Sequence, residues 1–297
     1  MRRILVSGLL NIETSVKVSG FPVEYCPIEY PFFGVDGCVS GVGYNVAKAL
    51  VSLGDEIELV SEVGDDLRGE FIRLALEKEG ISNDHVFVCQ DKQTAESVVL
   101  VDPSGKRKIY CDLKDLQDRP ALDISSLAME NISMAVLTNI NFNRKLLWQI
   151  KERGIQIATD VHVLSDPYDD YNADFLKAAD ILFLSNEAIL GREGDFVKEL
   201  YGIYHTPLIV VGCGEEGALA YFGGSDCFLY EKAVAPRGVV STVGAGDALF
   251  SSFIHFLNKG ESPDACLKKA VTFAGAKIGT AGGSNGFLSE AELAFYL

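Results

Sequence analysis

Six short apolar runs, at residues 4–6, 57–60, 135–137, 155–158, 181–184 and 208–211, constrain the fold of this chain more than any other feature. Each is rich in Ile, Leu, Val or Ala and nearly continuous. Strands of that kind are covered on both faces, as in a parallel sheet. Between them lie patterns of helical period. Val42, Val46, Ala49, Leu50 and Leu53 form one apolar stripe. Phe71, Leu74 and Ala75 belong to a second helix that ends before Gly80, and two long helices over about 247–258 and 264–278 fill the last third. The expected architecture is α/β, with a mainly parallel sheet between two helical layers.

Two segments break the alternation. Residues 14–38 carry Val16, Val18, Pro22, Pro27, Pro31, Phe32 and Phe33. Residues 94–112 read as a hairpin around Asp102, Pro103, Ser104 and Gly105. Both are expected to form a small β lid on a core built from 1–13, 39–93 and 113–297. Val16, Val18, Phe32, Phe33, Val99 and Val101 would leave that lid with apolar open edges. A homodimer through two lids is the expected remedy. A monomer whose lid folds over its own site is the alternative.

The 297 residues make one large domain or two small ones, and 48% hydrophobic content is ample for a core. The net charge of -16 argues against nucleic-acid and anionic-membrane partners. Seven cysteines, with no Cys-x-x-Cys pair, read as reduced thiols of a cytoplasmic protein. The four histidines show no metal-ligand spacing, so no metal site made of protein residues alone is expected. No apolar run reaches transmembrane length. Met1, Arg2 and Arg3 precede a short apolar run, as in a leader, but Asn11, Ile12 and Glu13 end it without a cleavage site, so it reads as a buried first strand.

The chemistry concentrates at 239–247, where a β-branched run meets Gly244, Ala245, Gly246 and Asp247 and then an apolar helix. Small residues let a ligand approach the backbone. The helix start adds unpaired N–H groups and a partial positive charge, which makes a phosphate or oxyanion site. Asp247 is placed there to take a proton from an alcohol. A plain strand-to-helix turn is the alternative for these four residues alone.

Other positions fit around this turn. Gly212 to Gly217 satisfies G-x-G-x-x-G, yet another strand follows at 218–222, so a dinucleotide site is rejected. A hairpin whose Gly214 and Gly217 border a nucleotide is expected instead, and no P-loop motif occurs. Gly41 and Asn45 open the 42–53 helix as a polar substrate wall, with a glycine-rich helix start as the alternative. Asn11 and Glu13, two residues apart on an extended segment, face one way and could fork onto sugar hydroxyls. Turn or cap roles are the alternative for each.

Taken in order, these pieces resemble the ribokinase-like (PfkB) carbohydrate kinase family. The resemblance rests on Ser40-Gly41-Val42-Gly43-Tyr44-Asn45, on the G-x-D-x-x-G turn from Gly64 to Gly69, and on Ser241-Thr242-Val243-Gly244-Ala245-Gly246-Asp247. It covers essentially the whole chain. It implies a ribokinase-like core with a β lid and MgATP-dependent phosphorylation of a hydroxymethyl group on a sugar or nucleoside. By the same resemblance Asp247 is the base, the Gly244, Ala245 and Gly246 amides form the anion hole, and Asn11, Gly41 and Asn45 hold the sugar. Gly214 and Gly217 border ATP, and Asn186 approaches its phosphates.

Three departures from the family pattern shape the expectations. Ser241 replaces the usual Asp that helps hold a monovalent cation in potassium-activated relatives, so weak or absent potassium activation is expected. Ile189 stands where N-x-x-E has its Glu, and Glu187 is the nearer carboxylate, so Mg²⁺ handling should differ. Glu13 replaces the usual substrate Asp, and the extra methylene should change which sugar fits. Phe32, Phe33 and Tyr110 could wall a base in a nucleoside kinase. A sugar- or nucleotide-binding regulator with weak turnover is the reading outside efficient enzymes.

Overall fold

The computed structural model describes residues 3–118, 122 and 124–297. Met1 and Arg2 of the leader-like start lie outside the described residues. In chain order the elements are β1 (Arg3–Ser7), β2 (Asn11–Lys17), β3 (Val35–Ser40), α1 (Val42–Leu53), β4 (Ile57–Gly64), α2 (Leu67–Lys78) and β5 (His85–Cys89). Next come β6 (Glu96–Val101), β7 (Arg107–Asp112), β8 (Ile132–Leu137), α3 (Arg144–Lys151), β9 (Gln156–Val163) and α4 (Ala173–Ala178). Then follow β10 (Ile181–Ser185), α5 (Glu193–Tyr204), β11 (Leu208–Gly212), β12 (Gly217–Phe222) and β13 (Cys227–Lys232). Three helices, α6 (Ala245–Asn258), α7 (Pro263–Lys277) and α8 (Glu290–Leu293), come last.

The large sheet has the order β13-β12-β11-β10-β9-β8-β1-β4-β5. All its neighbours are parallel except the β11–β12 and β12–β13 pairs, which form an antiparallel edge. Strand alternation divides the core between its two faces. Ile4 and Val6 pack with Val46, Phe250, Phe253 and Phe273 of α1, α6 and α7. Leu5 faces the other way and joins Leu146, Phe175 and Val197 of α3, α4 and α5. The expected three layers follow from that alternation. β1 lies between β4 and β8, so the strand order reverses there, and open parallel sheets bind ligands beyond the carboxyl ends of strands at such a point.

Helix α1 begins where its apolar stripe begins. Gly41 precedes it with φ +96°, and a Cβ there would stand 2.5 Å from the Leu9 carbonyl oxygen. Only glycine fits both constraints. The turn from Gly64 to Gly69 has a structural task. Asp66 caps α2 by accepting from the Gly69 N–H at 2.9 Å. The same carboxylate accepts from Thr94 Oγ1 and the Thr94 N–H, at 2.7 and 3.0 Å, just before β6. It ties the core to the second sheet.

That second sheet has the order β3-β2-β6-β7 and is built from the two expected segments. Its strands run past them: β2 starts at Asn11 and β3 ends at Ser40. Asn11 and Glu13 therefore stand on a strand of the small sheet rather than in a loop off β1. Its apolar positions also divide by face. Val99 is fully buried on the face that carries Glu13, whereas half-buried Val16 and exposed Val35, Val98 and Tyr110 share the opposite, outer face; Ile109, paired with Val99, is exposed on the edge strand β7. The exposed apolar surface expected at Val99 thus lies one residue away, because neighbours on a strand point to opposite faces. Phe32 and Phe33, at 85% and 100% exposure, stand off the body. Among the described residues no disulfide joins any of the seven cysteines. No helix among the described residues is long and apolar enough to cross a membrane.

Candidate active site

The β-branched run before Gly244 is not a strand. It is a loop held by the Val240 and Ser241 N–H groups, which both donate to the Ile278 carbonyl at the end of α7. Gly244 then takes a left-handed conformation, φ +77°, and α6 starts at once. A Cβ on Gly244 would lie 2.2 Å from the Gly283 carbonyl oxygen, so two loops abut at this residue. Gly246 differs: it sits in the first turn of α6, is exposed, and has open space where a side chain would go. The Ala245 N–H closes the turn onto the Thr242 carbonyl at 3.2 Å. A helix start leaves the next amides, those of Gly246 and Asp247, without intrahelical partners and at the positive end of the dipole.

Asp247 points from that turn toward the small sheet. Its Oδ2 accepts from Asn45 Nδ2 at 2.6 Å, which joins two residues more than two hundred positions apart. Burial raises the Asp247 pKa above the usual carboxylate value. The Asn45 hydrogen bond opposes that shift, His162 and Lys277 also lower it, and Asp160 adds to it. Ser40 Oγ sits between Glu13 Oε2, at 3.2 Å, and Asn45 Oδ1, at 3.4 Å. Burial raises the Glu13 pKa as well, against the Ser40 hydroxyl, the Gly283 amide and Lys277. Asn11 Nδ2 donates to Ser97 Oγ at 3.0 Å on β6. Asn11 Oδ1 and Glu13 Oε1 are buried and accept no hydrogen bond among the described residues. Two unpaired acceptors, alternate residues of one strand, form a site short of donors.

Lys277 closes the other side. It is fully buried at the end of α7, and its Nζ donates to the Val243 carbonyl and, at 2.7 Å, to the Gly282 carbonyl. Burial lowers its pKa to about 8, against the pull of Asp247 and Glu13. Arg107 of β7 reaches across from the small sheet. Its Nη1 donates to Thr242 Oγ1 at 2.8 Å, and its Nη2 lies 3.6 Å from Glu187 Oε1.

The residues expected on the nucleotide side follow β10 and β11, whose last residues, Ser185 and Gly212, pair in register. Asn186 Nδ2 donates to Glu193 Oε1 at 2.9 Å. Ile189 is buried in the core, so the carboxylate beside Asn186 comes from the start of α5. Gly217 has φ +117°, and a Cβ there would lie 2.0 Å from the Glu231 carbonyl oxygen, so β13 dictates that glycine. Gly214, φ +57°, is open on its Cβ side. Among the described residues no group of three His, Cys, Asp or Glu side chains could hold a metal ion.

Lys277, Arg107, Asp160, His162 and Glu193 are members of this neighbourhood that the sequence pattern did not pick out. Lys277 alone carried a signal: a lysine in a run of Gly and Ala has little side-chain bulk around it to hold it at the surface.

The family model for pfkB family carbohydrate kinases matches residues 1–290. The acarbose 7(IV)-phosphotransferase of an Actinoplanes species is 25% identical over 269 residues, covering 89% of this chain and 88% of the relative. The ATP-dependent ribose-1-phosphate kinase of Halopiger xanaduensis is 25% identical over 280 residues, covering 93% and 90%. Among solved structures, the microbiome-derived acarbose kinase Mak1 superposes with a TM-score of 0.88 at 24% identity, covering 100% of this chain and 99% of that one.

Proposed function

The chain belongs to the pfkB family of carbohydrate kinases, and on that premise we propose that it transfers the γ-phosphoryl group of ATP to a hydroxymethyl group of a small sugar. One observation carries the reading. The carboxylate of Asp247, at the positive start of α6, meets the substrate-side cluster of Asn45, Ser40, Glu13 and Asn11. The unpaired acceptors on Asn11 and Glu13 want hydroxyl donors. A polyol supplies them, and its hydroxymethyl oxygen would then face Asp247.

The roles follow from the geometry. Asn11 and Glu13 orient the sugar from β2. Asp247 takes the hydroxyl proton as the oxygen attacks phosphorus. Amides at the α6 start, those of Gly246 and Asp247 foremost, stabilise charge on the transferring group. Arg107 bridges the small sheet to Thr242 and closes the site as a lid would, excluding water. Gly214, beyond β11, leaves room for the nucleotide. Mg²⁺ bound to ATP would neutralise phosphate charge, and Asn186 with Glu193 offers the amide and single carboxylate that suit an ion arriving with its phosphates. A binding-only regulator would not need the base, so that reading is not adopted. ATP use and seven cysteines without a disulfide among them fit the cytoplasm.

The test is an acceptor panel of pentoses, hexoses, sugar phosphates, oligosaccharides and nucleosides, read as ADP release. Efficient turnover of a sugar is the expected result. Turnover restricted to nucleosides would assign the exposed Phe32 and Phe33 to a base-stacking wall instead.

The pH profile offers a second check on the base. Asp247 must be ionised to accept a proton, so kcat/KM falls on the acid side as it protonates. The Asn45 hydrogen bond favours the ionised form. Asn45→Ala is therefore expected to move the acid limb to higher pH, besides weakening substrate binding. A limb that stays in place would remove Asp247 as its source.

The small sheet is also the proposed contact with a second copy. β7 is an edge strand with all six residues exposed, and Val35, Val98 and Tyr110 add apolar surface on the outer face. Light scattering should give a dimer that Val98→Asp splits. A monomer at all micromolar concentrations would exclude it.

A further inference from the structure

We infer that Lys277 is the resident cation of this site: its ammonium, between the Val243 and Gly282 carbonyls, holds the place a bound alkali ion would take and sets the shape of the anion turn. The inference rests on the phosphoryl-transfer reading above. It begins from an oddity. A lysine in the last turn of a helix ordinarily runs its stem outward and leaves its charge in water. Lys277 ends α7 yet is fully buried, and its charge points at the loops on either side of the base.

Those loops would otherwise have little to join them. The Ile278 carbonyl holds Val240 and Ser241, and Gly244 presses on Gly283. The ammonium grips the residue before Gly244 on one side and the residue before Gly283 on the other. It thereby fixes the contact that turns α6 amides toward a ligand. The titratable groups facing it are Asp247 of α6, Glu13 of β2, the Cys38 thiol of β3 and Arg107 of β7. Two of these are carboxylates, so a positive charge here compensates the base and the substrate anchor together. An ammonium is a compact point charge, close in size to potassium, and carbonyl oxygens bind both. Ser241 brings no carboxylate to the loop, so a second, free cation would meet the ammonium without charge compensation. Lys277 acts through the Val243 carbonyl and is a positioning residue. The weak potassium response expected from Ser241 has its physical cause here.

The experiment measures ADP affinity by calorimetry in tetramethylammonium chloride, then with potassium or ammonium chloride added, and so needs no sugar. Wild type should bind ADP within about twofold in all three salts. Lys277→Met should lose roughly 30-fold or more in tetramethylammonium, the scale of a turn displaced by a fraction of an ångström, and regain about tenfold with potassium or ammonium. Lys277→Gln keeps a hydrogen-bond donor without the charge and should behave as the Met variant does. Three results would overturn the inference: a Met variant as tight as wild type or unrescued by either cation, a Gln variant that binds normally without added cation, or a wild type tightened more than about threefold by potassium. The wild-type arm decides even if both variants fail to melt cooperatively. Absence of ADP binding by wild type would instead sink the kinase reading on which the inference rests.

Discussion

Asp247→Asn is expected to lower kcat by about 10²–10⁴-fold, the usual contribution of a general base. The amide has nearly the shape of the carboxylate, and its oxygen can still accept from Asn45 Nδ2, so sugar affinity should persist. The thermal midpoint should be no lower than that of wild type. Burial raises the Asp247 pKa, so the ionised group costs folding energy once the pH exceeds that value, and the neutral amide does not. The measurement is kcat and Tm side by side. A variant within about threefold of wild type in kcat would remove Asp247 as the base. Lost turnover together with a collapsed Tm would make it a structural residue.

A second large effect is expected at Gly244, with Gly246 as its control. Gly244→Ala forces a side chain into the left-handed region, at about 1–2 kcal/mol, and into the Gly283 carbonyl. Relief requires the two loops to part, and displacements near 1 Å at a reacting centre cost about 100-fold in rate. Turnover should fall by that order and Tm by several degrees, since 1 kcal/mol moves the midpoint of a domain this large by roughly 2–4 °C. Gly246→Val should impair ATP use with little loss of Tm, because its side chain enters open space where only a ligand would meet it. Unchanged ATP kinetics in Gly246→Val would put the phosphates elsewhere. A Gly244→Ala variant with wild-type kinetics would show the loops to be more compliant than their contact implies.

The parallel sheet and its helices were legible because burial on both faces writes apolar runs into the sequence, as at 181–184 and 208–211, and because α1 carries an uninterrupted stripe. The edges were less so. β5 and β13 have exposed or half-buried positions, and that dilutes the hydrophobic signal. The run at 239–243 read as a strand by propensity, but its neighbour is the end of α7, which gives two hydrogen bonds and no ladder. In the site, the residues named from sequence sit in short stretches of strand, turn or helix start whose spacing is local. Those that were missed act across the fold. Arg107 meets Thr242 through the arc of a hairpin, Glu193 meets Asn186 across a helix start, and Lys277 meets Val243 only because α7 returns beside α6. Side-chain type at such positions says nothing of the partner until the topology is known.

The two halves of the site are made of different material, and that bears on how such a chain can change over generations. The proposed acceptor half is written in side chains, Asn11, Glu13, Ser40 and Asn45, mostly on a small sheet with its own hydrogen-bond ladder. The half proposed to face the phosphates relies largely on peptide groups around Gly244 and on a helix start, which no ordinary point mutation can rewrite without breaking the turn. Drift is therefore free to exchange one sugar for another while the donor chemistry stays locked. A library confined to residues 11–17, 35–40 and 96–101 is the natural place to redirect this enzyme to a new acceptor.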